Sequence, residues 1–204
     1  MLLRCKIIFA GRRSRMKYIK GIIALAIVIG AVLGLCSCGV SDKTLVEKTI
    51  GAVSKANFDE LDRLTAAGSE ENVRTMREYF SRLDDEKVSA YVLLMKNIEI
   101  VSYRDENKYG AGASDTAVTF RLRHINFDEL LRDVATENSV EGTPTAEIIS
   151  KICASEKING YIVYDDVTAS IVRAGRRSYV EFDRNSELSG VLGATAFLRW
   201  LSSH

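Results

Sequence analysis

The chain has little histidine: His124 and His204 are its only two. A zinc site draws three or four ligands, mostly histidine and cysteine, so one internal histidine leaves no metal site to expect. Cysteine is scarce where it would matter. Cys5, Cys36 and Cys38 lie at the amino end, and Cys153 stands alone in the remainder. A lone thiol excludes an internal disulfide, so the body must fold on its apolar core, which about 160 residues can supply. Cys153 sits among Ile149, Ile152 and Ala154 and reads as a small buried apolar residue. The body contains no Gly-x-Ser-x-Gly, His-Glu-x-x-His or Cys-x-x-Cys pattern. Gly110-Ala111-Gly112-Ala113-Ser114 lacks the lysine and following helix of a phosphate loop and reads as a turn. No cofactor is implied.

Acidic residues are missing from one stretch. Residues 1–37 hold seven basic side chains (Arg4, Lys6, Arg12, Arg13, Arg15, Lys17 and Lys20) and no carboxylate. The rest carries 21 basic against 27 acidic residues, a net charge of −6. A body of that sign has no general attraction for nucleic acid or anionic headgroups. The formal +1 of the whole chain therefore adds a basic leader to an acidic domain.

Within the leader, Ile22 to Leu35 is a 14-residue apolar run. As a helix it measures about 21 Å, short of the roughly 30 Å hydrocarbon core. A signal-peptide apolar region behind a positive flank fits better than a stable span. Met16-Lys17-Tyr18-Ile19-Lys20 is already a complete start for such a peptide, so translation is expected from Met16 rather than Met1. The run ends at Leu35-Cys36-Ser37-Cys38-Gly39. This resembles the lipobox of bacterial lipoproteins, with a leucine three places before the cut, a small residue just before it and a cysteine just after. Cys38 fits that pattern; Cys36 does not, because leucine would then precede the cut. The resemblance implies a signal peptide over 1–37, a diacylglycerol thioether on Cys38, and a single extracytoplasmic domain over 38–204. Such a protein is held at the outer face of a cell membrane by its lipid. Two or more acyl chains give stable attachment where one does not.

The body opens with a helical pattern almost at once, at Ser41-Asp42, with no long linker. Helical spacing recurs from Leu45 to Val53, after Asn57, from Val73 to Leu83, and through Val88 to Met95. The period then changes. Ile98–Tyr103 and Val118–His124 alternate as a hairpin of two strands. Asn126-Phe127-Asp128-Glu129-Leu130 repeats the string at 57–61, a helix-start device with an asparagine cap and a glutamate three residues on. A helix follows it, and another starts at Pro144. Three runs, 159–164, 167–173 and 178–182, read as strands with turns at Asp165-Asp166 and Ala174-Gly175-Arg176. A final helix capped by Asn185 or Ser186 runs through Trp200. The expected fold is α+β: a helical amino-terminal part on an antiparallel sheet of about five strands, with a carboxy-terminal helix. That order is similar to nuclear-transport-factor-2-like (cystatin-like) domains, a resemblance that implies a curved sheet over a pocket.

Candidate chemistry is thin. His124, on the apolar face of its strand, has Asp128 four residues on; together they suggest an acid–base pair, or a histidine tied to a helix start. Asp165, Asp166, Glu181 and Asp183 could gather carboxylates for a cation, and Arg173, Arg176 and Arg177 ring a turn that could bind an anion or simply be solvated. Tyr91, Tyr161, Tyr164 and Tyr179 either line a pocket or fill the core. His124, Tyr161 and Tyr179 are the expected pocket residues. The final helix, whose only charge from Leu188 to Leu201 is Arg199, is either a docking surface or packed by its small residues. The functions compatible with this are a non-enzymatic binding or envelope-accessory domain with a protein or small-molecule partner, a small cavity enzyme of hydrolase or lyase type, and a purely structural envelope protein.

Overall fold

The computed structural model describes residues 41–108 and 116–204. Cys38, the signal peptide expected over 1–37 and the turn expected at 110–114 lie outside the described residues.

Short polar caps set where the first helices begin. The Ser41 hydroxyl accepts the Thr44 amide at 3.2 Å and opens α1 (Asp42–Ser54). Asn57 opens α2 (Phe58–Leu64), its Oδ1 accepting the Glu60 amide. Glu60 returns to the asparagine side-chain amide at 3.0 Å rather than to the backbone amide. That backbone amide already donates to the Ala52 carbonyl. α3 (Glu70–Phe80) ends before Asp84, which caps a separate helix, α4 (Asp85–Met95), by accepting the Lys87 amide at 2.9 Å.

The period-two stretches form β1 (Glu99–Lys108) and β2 (Thr116–Ile125), paired antiparallel. Asn126 then opens α5 (Phe127–Glu141) with the same device as Asn57, its backbone amide being taken by the Tyr161 carbonyl. Pro144 precedes α6 (Thr145–Cys153), and a 3-10 segment follows over Glu156–Tyr161.

The sheet has four strands, in the order β1-β2-β3-β4, and not five. The expected turn at Asp165-Asp166 does not form. β3 runs unbroken from Ile162 to Ala174 and pairs with β2 through ten consecutive positions, from Thr116↔Ile171 to Ile125↔Ile162. Both aspartates have partners on other strands of the sheet: Asp165 on β2, in His124, and Asp166 on β1, in Arg104, which reaches across β2. A continuous ladder with those two bonds outweighs the local turn preference of an Asp-Asp pair. The first half of the expected strand run 159–164 is the end of the 3-10 segment, and the second half is the start of β3. β4 (Arg177–Val180) closes the meander through a turn at Gly175, where φ is +64°.

One face of the sheet makes the core. Val118, Phe120 and Leu122 of β2, with Val167, Ala169 and Ile171 of β3, are buried beneath α1 and the helix that follows β4, while α2 lies against β4. The other face is polar. Arg104 pairs with Asp166, Arg123 with Glu99, and Arg121 lies over the exposed Tyr164 ring. Antiparallel sheets tolerate water on one side in this way.

The final helix is two helices. Ser186 caps α7 (Glu187–Leu192), and α8 (Ala194–Ser203) follows after Gly193. Gly193 has φ +59°, and a Cβ there would lie 2.7 Å from the Phe127 ring. Only glycine satisfies both the left-handed backbone and that approach. Leu188, Leu192, Phe197, Leu198 and Leu201 are buried, and α8 packs on α3, so the segment is packed rather than displayed. Among the described residues, no helix is long and apolar enough to cross a membrane.

Candidate functional site

The sequence places His124 on the inward face of β2, since Val118, Phe120 and Leu122 are the buried residues at the same parity. Near the carboxyl end of the strand that face runs out of core and opens into a cleft of about 490 Å³. Its walls come from the start of α5 (Asn126, Phe127, Asp128), from Val163 and Asp165 on β3, and from Gly190, Val191, Gly193 and Ala196 on α7 and α8. Its titratable lining is His124, Asp128 and Asp165, and α7 and α8 contribute only small apolar residues to it.

Asp165 occupies the inward face of β3 because it pairs with Leu122, one step diagonal from His124. The imidazole donates from Nε2 to Asp165 Oδ2 at 2.8 Å. The His124 side chain is only 8% exposed, whereas Asp165 is 59% exposed. Nδ1 of His124 is buried and, among the described residues, has no hydrogen-bond partner. The ring thus spends its one bonded nitrogen on the aspartate, and its other nitrogen is sealed from solvent. The group this pair presents to the cleft is the Asp165 carboxylate, with the histidine behind it fixing its orientation.

The expected partner of His124 was Asp128, or the start of the following helix. The structure gives it Asp165 instead, and Asp128 merely lines the same cleft. The reason is register: reading Asp165 as a turn residue removes it from the strand that carries it to His124.

Among the described residues, His124 and Tyr179 line different clefts, and Tyr161 lines neither of these two. The Tyr161 hydroxyl donates to Asp133 of α5 at 3.0 Å, and burial and that carboxylate together push its pKa up. It braces the 3-10 segment against α5. Tyr179 lines a second cleft, of about 400 Å³, with Ala66–Glu70, Val172, Glu181 and Asp183. Tyr91 is fully buried in the core, donating to the Val53 carbonyl at 2.9 Å, and Tyr164 is on the open face of the sheet. The four aspartate and glutamate candidates divide in the same way. Asp165 faces inward, Asp166 pairs with Arg104, and Glu181 and Asp183 border the second cleft. Among the described residues, no group of three or more histidine, cysteine, aspartate or glutamate side chains could hold a metal ion. Cys153 is half-buried at the end of α6, and burial pushes its thiol pKa up to about 11.

A buried polar cluster escaped the sequence reading. Asn72 of α3 donates to the Phe182 carbonyl and to Ser189 Oγ, both at 2.9 Å, and accepts from Thr195 at 3.0 Å. Ser69 accepts the Phe182 amide at 3.0 Å. These bonds tie α3 to the chain after β4 across more than a hundred residues, and only an asparagine within an otherwise helical pattern hinted at them.

No protein-family model matches this chain, and no curated protein or solved structure matches it either. The likeness to nuclear-transport-factor-2-like domains therefore rests on element order alone.

Proposed function

We propose that the chain is a bacterial lipoprotein, held at the extracytoplasmic face of a cell membrane by lipid on Cys38, and that it acts there as a binding or envelope-accessory domain. One observation carries this reading: a basic flank, a 14-residue apolar run and the Leu35-Cys36-Ser37-Cys38 box follow one another in the order that export and lipidation require. The body behind the box is consistent with it. Ser41 already caps α1 three residues after Cys38, so a tether at that cysteine would be short.

The cleft at His124 is where such a domain would hold a small ligand or a partner's side chain. Its chemistry favours binding over catalysis. A histidine acting as general base must reach the proton it removes with a free nitrogen, and here Nε2 is engaged and Nδ1 is sealed. The carboxylates of Asp128 and Asp165 beside Phe127, Val163 and Val191 suit a cationic group on an apolar body.

The test of the anchor is metabolic labelling with palmitate in a bacterial host. The native chain should take up acyl label and fractionate with membranes. Cys38→Ser should lose both. Label retained by the serine variant would defeat the proposal.

A further inference from the structure

A basic turn lies beside the anchored end of the domain. Asp42, the first residue of α1, accepts from Arg173 Nη2 at 3.2 Å and from Thr116 Oγ1 at 3.0 Å. Its side chain is 16% exposed, so the start of α1 is fastened to the β3–β4 hairpin. Cys38 precedes Asp42 by four residues. Whatever path those residues take, covalent geometry keeps the two Cα atoms within about 14 Å. A lipid on Cys38 therefore brings this end of the sheet to the headgroup layer.

The hairpin turn there is Ala174-Gly175-Arg176-Arg177, and all four residues are exposed. Arg173 spends its charge on Asp42. Neither Arg176 nor Arg177 has a carboxylate partner among the described residues. A pair of uncompensated guanidinium groups at the end nearest the lipid locally reverses the sign of a body whose net charge is −6. The reversal is confined to the turn, because Glu70, Glu181 and Asp183 line the adjoining cleft.

We infer that Arg176 and Arg177 seat the β3–β4 turn on the phosphates of anionic phospholipids, orienting the domain on its membrane. This rests on the lipid anchor proposed above. Guanidinium groups suit phosphate through paired N–H donors, and each basic residue at an anionic surface contributes about a fivefold gain in occupancy. Alone such a pair is too weak to recruit an acidic domain from solution. Beside a covalent anchor it need only choose among orientations, because the lipid has already confined the domain to the surface.

The experiment uses the full lipidated chain in nanodiscs of phosphatidylcholine, with and without phosphatidylglycerol. Hydrogen exchange is read on peptides covering residues 172–180. Protection of the turn should rise about fivefold or more when the anionic lipid is present. The double variant Arg176→Gln/Arg177→Gln should lose that difference while keeping its acyl label. Exchange in the core strand β2 of the variant should match the native chain, which separates a lost contact from a damaged fold. Acylated protein whose turn exchanges equally in both discs overturns the lipid contact and leaves the anchor standing. A lipid-dependent difference that survives in the double variant also overturns it. Absence of acyl label on Cys38 overturns the anchor, and this contact with it.

Discussion

Single residues decide how the polar parts of this molecule are satisfied. Asn72 fills three bonds at once in a buried position, to Phe182, Ser189 and Thr195. Asn72→Ala leaves those partners without water or protein to bond. Urea denaturation should show a loss of about 2–3 kcal/mol, with the m-value unchanged. Cys153 tests burial differently. With its pKa near 11, its thiolate fraction at pH 8 falls roughly two orders of magnitude below that of an ordinary cysteine. Alkylation by iodoacetamide should be correspondingly slow in the native protein and become fast in urea. At His124 the expected partner, Asp128, gives way to Asp165. Its inward position follows from strand alternation, which is local. Its bond to Asp165 follows from pairing between residues 41 positions apart, which alternation cannot supply.

At the scale of elements, the helix starts were the most legible feature. Asn57 and Asn126 carry the same five-residue string and build the same cap, because the device needs only residues three apart. Breaks imposed by tertiary contact were not legible in the same way. The final helix reads as continuous, yet Gly193 divides it where the Phe127 ring closes on the backbone. Gly193→Ala places a Cβ against that ring and forces a left-handed alanine. The cost should be about 2–4 kcal/mol, seen as a lower urea midpoint. Gly190→Ala meets open space inside α7 and should be nearly neutral or mildly stabilising by the same measurement. β3 shows the opposite error, a turn expected where the strand continues. Here the local turn preference of two adjacent aspartates yields to partners on other strands, His124 and Arg104.

For the whole molecule, the amino-terminal and carboxy-terminal helices complete one core. An aromatic chain links them: Phe58 to Phe80, Phe80 to Tyr91, Tyr91 to Phe197 and Phe197 to Phe127, with ring centroids 5.0–5.8 Å apart. The chain therefore runs through α2, α3, α4, α8 and α5. Truncation after Asp183 removes Phe197 and four buried leucines, each contributing about 1.5–3 kcal/mol. That sum is comparable with the whole stability of a domain, about 5–15 kcal/mol. The truncated chain should show no cooperative thermal transition by circular dichroism. A folded, soluble product would mean that the last two helices are an appendage.

What the sequence determined unaided was whatever depends on neighbours along the chain. That covers the helix caps, the alternation of β2, and the α+β class that follows from the order of elements. These signals act over a few residues, so they survive without knowledge of the fold. The tertiary structure alone decided the number of strands, the partner of His124, the separation of His124, Tyr161 and Tyr179, and the division of the last helix at Gly193. It also set the Arg176–Arg177 turn beside the start of α1. Each depends on strand register or close packing, where one residue's conformation is chosen by a partner distant in sequence.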